Sequence, residues 1–276
     1  MLNPLLKLDS HPLSNNSKVT WDWHIWEGLP YLTCSLLNYW SHGFFTRQFS
    51  PREPAVLVQV LNREAQVYRV KQVHGAAVLS PSEVNIKAQE QGDYPFGDGL
   101  ITEVPLQSIW VCSADCTPAL IGDVKTGRVG AVHAGWRGTG KKILPEAIAR
   151  LVQAGSHIPD LRVALGPAIA GDVYQVTTEV AAQVVSSLMS NDLTQLPLKI
   201  IEYAEKLPDS PILPDDEPGK VRLDVRKVNS IQLQQLGLNP EQIAIAPQCT
   251  YQDPENFFSY RREALKKVQW SGIVSN

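Results

Sequence analysis

The feature that most constrains this chain is a series of short, Val- and Ile-rich runs, each closed by Gly, Pro or a polar turn. They are AVLVQVL at 55–61, QVYRVKQVH at 66–74, SIWVCSADC at 108–116, RVGAVHA at 128–134, LRVALG at 161–166 and QIAIAP at 242–247. β-Branched side chains lose rotamer freedom in a helix and pack well on a pleated surface, so each run predicts a strand. Helical spacing appears in fewer places. After Gly140, residues Ile143, Leu144, Ala147, Ile148 and Leu151 recur every three or four positions, with Pro145 tolerable only in a first turn and Gly155 as the stop. A second helix is signalled by Thr177 or Thr178 ahead of Val180, Val184, Val185 and Leu188, and a third by Asp224 ahead of Val225, Val228, Ile231, Leu236 and Gly237. The sum is a mixed α/β chain, with sheet dominant in its first half.

The 276 residues, 43% hydrophobic and 19% charged, contain no internal repeat and predict one domain over 1–276. Residues 1–20 are expected to be loosely attached, and the proline- and acid-rich stretch 206–220 to be a surface loop. Roughly three-quarters of the unfolded surface can be buried at this length, so no disulfide is needed. Cys34, Cys112, Cys116 and Cys249 form no CxxC pair, which fits reduced thiols. A net charge of −3, scattered along the chain, argues against a nucleic acid or anionic membrane as partner. The opening MLNPLLKLDSHPLSNN is broken by Pro4 and Lys7 and lacks the apolar core of a secretory signal, and no other stretch is long enough to span a bilayer. The expectation is a cytoplasmic protein. No heptad or apolar stripe points to a dimer, so a monomer is the default.

Three of the runs end in a potential metal ligand followed by a chain breaker: Val73-His74-Gly75, Asp115-Cys116-Thr117-Pro118 and Val132-His133-Ala134-Gly135. Strand ends are where open sheets place their sites. Two imidazoles and a thiolate suit a catalytic zinc, because three protein ligands leave a fourth position for water or substrate. Cys112 would lie some 13 Å back along the same strand, at about 3.3 Å per residue, and reads as a core thiol. The segment HAGWRGTGKK sets Gly135, Gly138 and Gly140 around Arg137, so backbone N–H groups and a guanidinium offer an anion site. It is neither a Walker A nor a dinucleotide fingerprint, and a tight turn with an exposed Arg is the plainer alternative. Cys116 and His133 also permit a second chemistry, a thiol nucleophile with an imidazole base.

The strings HGFFTR at 42–47, KQVHG at 71–75, GDGLIT at 97–102, SADCTPALIGD at 113–123, VGAVHAGWRGT at 129–139, ALGPAI at 164–169 and CTYQDPENFFSYRRE at 249–263 resemble, in order, the signature blocks of the laccase-domain family. That family was formerly labelled multicopper polyphenol oxidase. Its members are described as purine nucleoside phosphorylases with adenosine deaminase and methylthioadenosine phosphorylase activity, and a peptidoglycan-editing role has been proposed within it. The resemblance implies zinc held by His74, Cys116 and His133, with copper as the alternative metal. It also implies a fold similar to a bacterial toxin deamidase, with central mixed sheets flanked by helices.

For phosphorolysis the expected catalytic residues are Cys116, His133 and Arg137, and the partners are a purine nucleoside and phosphate. Arg137 with the amides of Gly135 and Gly138 would orient the phosphate, with Arg47, Asp98, Tyr260 and Arg261 as further pocket candidates. The chain has no HxE motif, so Asp98 or Asp115 would stand in for the glutamate of zinc deaminases. Two departures are notable. Ala168-Ile169-Ala170 replaces a Cys-rich stretch, and Lys266-Lys267-Val268 replaces a Gly-Arg pair. Six His and two Met in the whole chain leave few ligands for clustered copper.

Overall fold

The computed structural model describes residues 18–189 and 197–276. Its first half runs β1 (Trp21–Trp26), β2 (Leu29–Cys34), β3 (His42–Phe45), α1 (Pro54–Leu61), β4 (Gln66–Arg69), β5 (Val78–Leu79), α2 (Pro81–Gln91), β6 (Gly99–Ile101), β7 (Gln107–Ser113), β8 (Thr117–Asp123) and β9 (Val129–Ala134). The second half adds α3 (Trp136–Gly140), α4 (Ile143–Gln153), β10 (Leu161–Leu165), β11 (Gln175–Thr177), α5 (Thr178–Val185) and α6 (Pro197–Glu205). It closes with β12 (Ile212–Leu213), β13 (Lys220–Leu223), α7 (Val225–Gln235), β14 (Ile243–Ile245), α8 (Tyr260–Glu263) and β15 (Gln269–Val274). Two six-stranded mixed sheets, β1-β2-β3-β15-β7-β4 and β14-β10-β8-β9-β6-β5, form the centre, and three short strands make a third sheet, β11-β13-β12.

Alternate residues of the central strands serve opposite faces. Ile109 and Val111 of β7, Phe44 of β3 and Ile273 of β15 meet Leu120 of β8, Ala131 of β9 and Ala164 of β10, so one core lies between the two large sheets. Their neighbours Trp110, Phe45 and Val274 face the other way, onto Leu57 and Val58 of α1. On the far side of the second sheet, Ile121, Val132 and Val163 pack against Ile143, Leu144, Ala147, Ile148 and Leu151 of α4. The order is helix, sheet, sheet, helix. Because both faces of the central strands are covered, β7 to β9 read as nearly continuous apolar runs. A further cluster, including Val184, Ile201, Leu223 and Val228, joins α5, α6 and α7 to the third sheet.

Several expectations are corrected. Residues 55–61 form helix α1, not a strand: Pro54 occupies the first turn, and Pro54, Leu57 and Val58 are buried along one stripe. Packing of that stripe outweighs the weak strand preference of its valines. The run 66–74 leaves the sheet after Arg69, and the run 108–116 breaks after Ser113. Cys116 therefore stands just ahead of β8 rather than at the end of β7, and the spacing argument from Cys112 does not apply. Part of the 206–220 stretch is anchored, since Pro211 and Ile212 are buried and β12 pairs with β13. Residues 1–17 lie outside the described residues, and 18–20 are exposed.

The helix signals hold. Pro145 falls in the first turn of α4 and Gly155 follows its end at φ +99°. Thr177 caps α5 through Val180 N, Asp224 caps α7 through Lys227 N, and Gly237 follows α7 at φ +97°. No described helix is long and apolar enough to cross a membrane.

Close packing predicts one test. A Cβ on Gly272 of β15 would overlap the Trp110 ring, which is fully buried. Gly272→Ala is expected to cost about 1–3 kcal/mol through overpacking, read as a lower urea midpoint. An unchanged midpoint would mean that the ring moves aside freely.

Candidate metal centre

The first ligand loop leaves β4 and runs beside β7 without strand pairing. The Gln72 side chain substitutes for a strand partner, its Nε2 donating to Cys112 O at 2.7 Å and its Oε1 accepting from Cys112 N at 2.7 Å. The next three amides then converge on one carboxylate: Val73 N and Gly75 N donate to Asp98 Oδ2 at 3.2 and 2.7 Å, and His74 N donates to Oδ1 at 2.8 Å. These bonds hold His74 at φ +58°, a region that non-glycine residues seldom adopt without support.

The second ligand loop has a matching anchor. Asp115, at φ +87°, accepts from Thr250 Oγ1 at 2.7 Å and from Arg261 N at 2.7 Å through its carboxylate, and its carbonyl accepts from Ile169 N at 3.0 Å. His133 sits within β9, and its amide donates to Asp98 O at 2.7 Å.

His74, Cys116 and His133 each offer one ligand atom, and these atoms lie within 4.8 Å of one another. The two imidazole rings stand 4.8 Å apart at 78°. Asp98 is fully buried, and its Oδ1 accepts from His133 Nδ1 at 2.9 Å, which leaves Nε2 for the cluster. Gly135 gives the cluster room: a Cβ there would stand 2.7 Å from Cys116 Sγ and 3.3 Å from His74 Cδ2.

Burial pushes the Cys116 thiol up, but the charge and hydrogen bond of His133, with the His74 ring, outweigh it and bring it down to about 6. Burial pulls the His133 imidazole down, and the Cys116 and Asp98 charges overcome it to raise it to about 9. For Asp98 too burial works upward, yet His133 and the Gly75 and Val73 amides hold the carboxyl below its usual range. Cys112, by contrast, is pushed up by burial to about 12. A site with an ionised thiolate, two imidazoles and a carboxylate behind one of them has the donor chemistry of a zinc or similar ion, whose bonds run ~2.0–2.3 Å. Cys116 is half-buried and His74 is more exposed, so the cluster reaches solvent on one side.

Of the residues singled out in the sequence, the structure brings together His74, Cys116, His133, Asp98, Gly135 and Gly138. A Cβ on Gly138 would stand 3.0 Å from Gly75 O, so that glycine lets α3 lie against the His74 loop. Arg137 is exposed on α3, its Cζ 4.3 Å from the Trp136 ring centroid. Arg261 is tied to Asp115 and lies over Tyr174 at 4.7 Å.

Two pocket candidates have other tasks. Asp98 does not face substrate, because four donors already occupy its buried carboxylate. Arg47 bonds Glu263 Oε1 and Pro254 O, both at 2.8 Å, and covers the Phe258 ring, so it clamps α8 instead of meeting phosphate. Tyr260 projects from α8 with its side chain exposed. Asp115 is spent as an anchor, which leaves neither aspartate free to move protons for a deaminase. Gln72 and Tyr174 were missed. Gln72 is recognisable only with its partner, 40 residues away in the chain.

The fold and site define a laccase-like α/β protein with a metal-capable His–Cys–His cluster. The chain belongs to the family described as multi-copper polyphenol oxidoreductase laccase, whose model matches residues 52–273. It is 49% identical over 256 residues, 92% of this chain and 97% of the relative, to a purine nucleoside phosphorylase of Synechocystis sp.. It is 34% identical over 200 residues, 70% of this chain and 66% of the relative, to the purine nucleoside phosphorylase YlmD of Geobacillus stearothermophilus. The crystal structure of YlmD from that organism matches with a TM-score of 0.74 at 22% identity, covering 92% of this chain and 98% of that one. A Bacillus licheniformis hypothetical protein, YfiH, matches with a TM-score of 0.71 at 24% identity, covering 89% and 96%. These structures share the mixed α/β fold.

Asp98→Asn removes the negative charge behind His133 and turns one of the two acceptor oxygens into a donor amide, and is expected to weaken metal binding about 10–100-fold, measured by chelator competition with the circular dichroism spectrum as control. Unchanged affinity would show that His133 needs no such support. Folding lowers the Cys116 thiol, so the stability it contributes to metal-free protein is full above the unfolded value near 9 and is lost as pH falls through about 6. His133 acts oppositely: its contribution is full below 6.5 and is lost as pH rises through about 9. Iodoacetamide should accordingly alkylate Cys116 of metal-free protein with a midpoint near pH 6 and leave Cys112 untouched, as read by peptide mass spectrometry. A midpoint near 9 would contradict the thiolate assignment.

Proposed function

We propose that this protein is a zinc-dependent purine nucleoside phosphorylase, cleaving adenosine, inosine or methylthioadenosine with phosphate to the free base and the ribose 1-phosphate product. The observation that carries this reading is the 49% identity across 97% of a relative bearing that name. Among the described residues there is one cluster of metal-ligating side chains, which suits a single zinc better than the several coppers of an oxidase. His74, Cys116 and His133 would hold the ion, which supplies a Lewis acid when bound. The surrounding residues do the rest. Asp98 fixes the His133 tautomer, Gly135 keeps the approach to the thiolate clear, and Arg137 offers phosphate an exposed guanidinium that makes no ion pair among the described residues. Holding a phosphate in line with C1′ removes a large part of such a barrier by positioning alone. Deamination ranks lower, because Asp98 and Asp115 are both engaged. The protein is proposed to act in the cytoplasm, as a monomer, on small molecules rather than on nucleic acid or membrane.

One observation favours a second reading. Cys116, His133 and Asp98 are ordered as nucleophile, base and orienting acid, with a lowered thiol and a raised imidazole. That is also the arrangement of a thiol hydrolase or amidase, for which peptidoglycan precursors are the substrates to try.

Zinc-loaded protein incubated with each nucleoside, with and without phosphate, is expected to release base only when phosphate is present. The release should stop on adding a chelator and in Cys116→Ala and His133→Ala proteins. Arg137→Ala should raise the KM for phosphate about tenfold or more, since a hydrogen bond to a charged group is worth ~1.5–3 kcal/mol. Ammonia release without base release would mark a deaminase. Chelator-resistant hydrolysis of an amide, with no base released, would transfer the assignment to the thiol hydrolase.

A further inference from the structure

Two arginines on segments that adjoin the cluster sit in similar settings. Arg137 lies over the Trp136 ring with its Cζ 4.3 Å from the centroid, and Arg261 lies over the Tyr174 ring at 4.7 Å. Trp136 and Tyr174 pack against the same core, the one formed by α5, α6 and the third sheet. Each guanidinium thus rests on an aromatic plate that the fold holds still. Neither makes an ion pair among the described residues. One arm of Arg261 donates to Gln175 O at 2.8 Å, and its amide is bound to Asp115, the residue before Cys116. Arg137 follows His133 by four residues through the Gly135 turn. Both arginines are therefore tethered to ligand-bearing segments, and no described carboxylate makes an ion pair with either guanidinium.

Tyr174 is the ring beneath Arg261. Its backbone is fixed by Tyr174 N to Gly171 O at 3.3 Å and Leu223 N to Tyr174 O at 3.1 Å. Its hydroxyl is not sealed in the interior, and no described residue bonds it. Burial pushes the phenol up to about 12, the Cys116 and Asp115 charges work the same way, and Arg261 and Arg137 work against it. The hydroxyl is thus a neutral donor at working pH, in the field of the metal-ligand thiolate and of both arginines. A purine nucleoside is uncharged and has no use for two unpaired guanidinium groups. A phosphate dianion has.

We infer that Arg137, Arg261 and Tyr174 form a clamp for inorganic phosphate, the two guanidinium groups supplying charge and the Tyr174 hydroxyl a hydrogen bond that sets the orientation of the anion. The choice of phosphate rests on the phosphorylase reading. The clamp extends it by naming Tyr174 as a substrate-contacting residue and Arg261 as an equal partner of Arg137.

Tyr174→Phe tests this, because it keeps the ring under Arg261 and removes only the hydroxyl. Inorganic phosphate is titrated into zinc-loaded wild-type and variant proteins by phosphorus NMR, and the KM values for phosphate and nucleoside are measured separately. The variant is expected to bind phosphate about tenfold or more weakly and to show the same rise in the KM for phosphate. The KM for nucleoside, the zinc content and the melting temperature should stay as in wild type. Equal phosphate affinity in the two proteins overturns the clamp even if nucleosides are cleaved, and so does a wild-type protein that binds no phosphate. If the wild type binds phosphate and the variant binds it more weakly, but no nucleoside is turned over, the clamp stands and the nucleoside reading falls.

Discussion

The site depends on the carboxylate of Asp98. A charge taken wholly out of water costs several kcal/mol unless it is paired and hydrogen-bonded. Here the pairing is also the construction: three successive amides and one imidazole N–H surround the two oxygens. One buried charge thereby sets the backbone of His74, the tautomer of His133 and the distance between them. Its main chain accepts the His133 amide as well, so both ends of Asp98 are committed to the same cluster.

Around that charge the two-sheet architecture does the gathering. The first sheet delivers His74 past the end of β4 and leads into the Cys116 loop past the end of β7, while the second delivers His133 from β9. Because β7 and β8 belong to different sheets, the chain must cross between them at Ala114–Cys116, and Asp115 takes a left-handed conformation there. Its carboxylate binds Thr250 and Arg261, so the crossing recruits the C-terminal α8 segment to the rim. Arg47 and Arg262 then hold that segment through Glu263, at 2.8 and 2.9 Å. A metal-capable centre, its anchor and its rim are linked by bonds between segments far apart in the chain.

Part of this was legible beforehand because the relevant signals are local. Thr177, Asp224, Gly155 and Gly237 mark helix ends through their own side chains or backbone preferences, and the structure keeps them there. His74, Cys116 and His133 stood out because each follows an apolar run and precedes a breaker. Where the deciding partner is remote, local signals mislead. Residues 55–61 carry strand-forming valines yet fold as a helix, because the stripe of Pro54, Leu57 and Val58 finds a sheet face to cover. Arg47 looked like a pocket arginine, and only the folded chain shows that Glu263, 216 positions away, takes its charge.

The sequence by itself determined the class of the chain, the ligand types and the family, since these rest on residue identity and on order over a few positions. The tertiary structure alone decided which acids serve as anchors, which arginines make no ion pair among the described residues and which tyrosine lies under Arg261. The physical reason is that a side chain's role follows from what desolvates it and what bonds it. For Asp98, Asp115, Arg47 and Tyr174, those partners are brought close only when the two sheets close on each other.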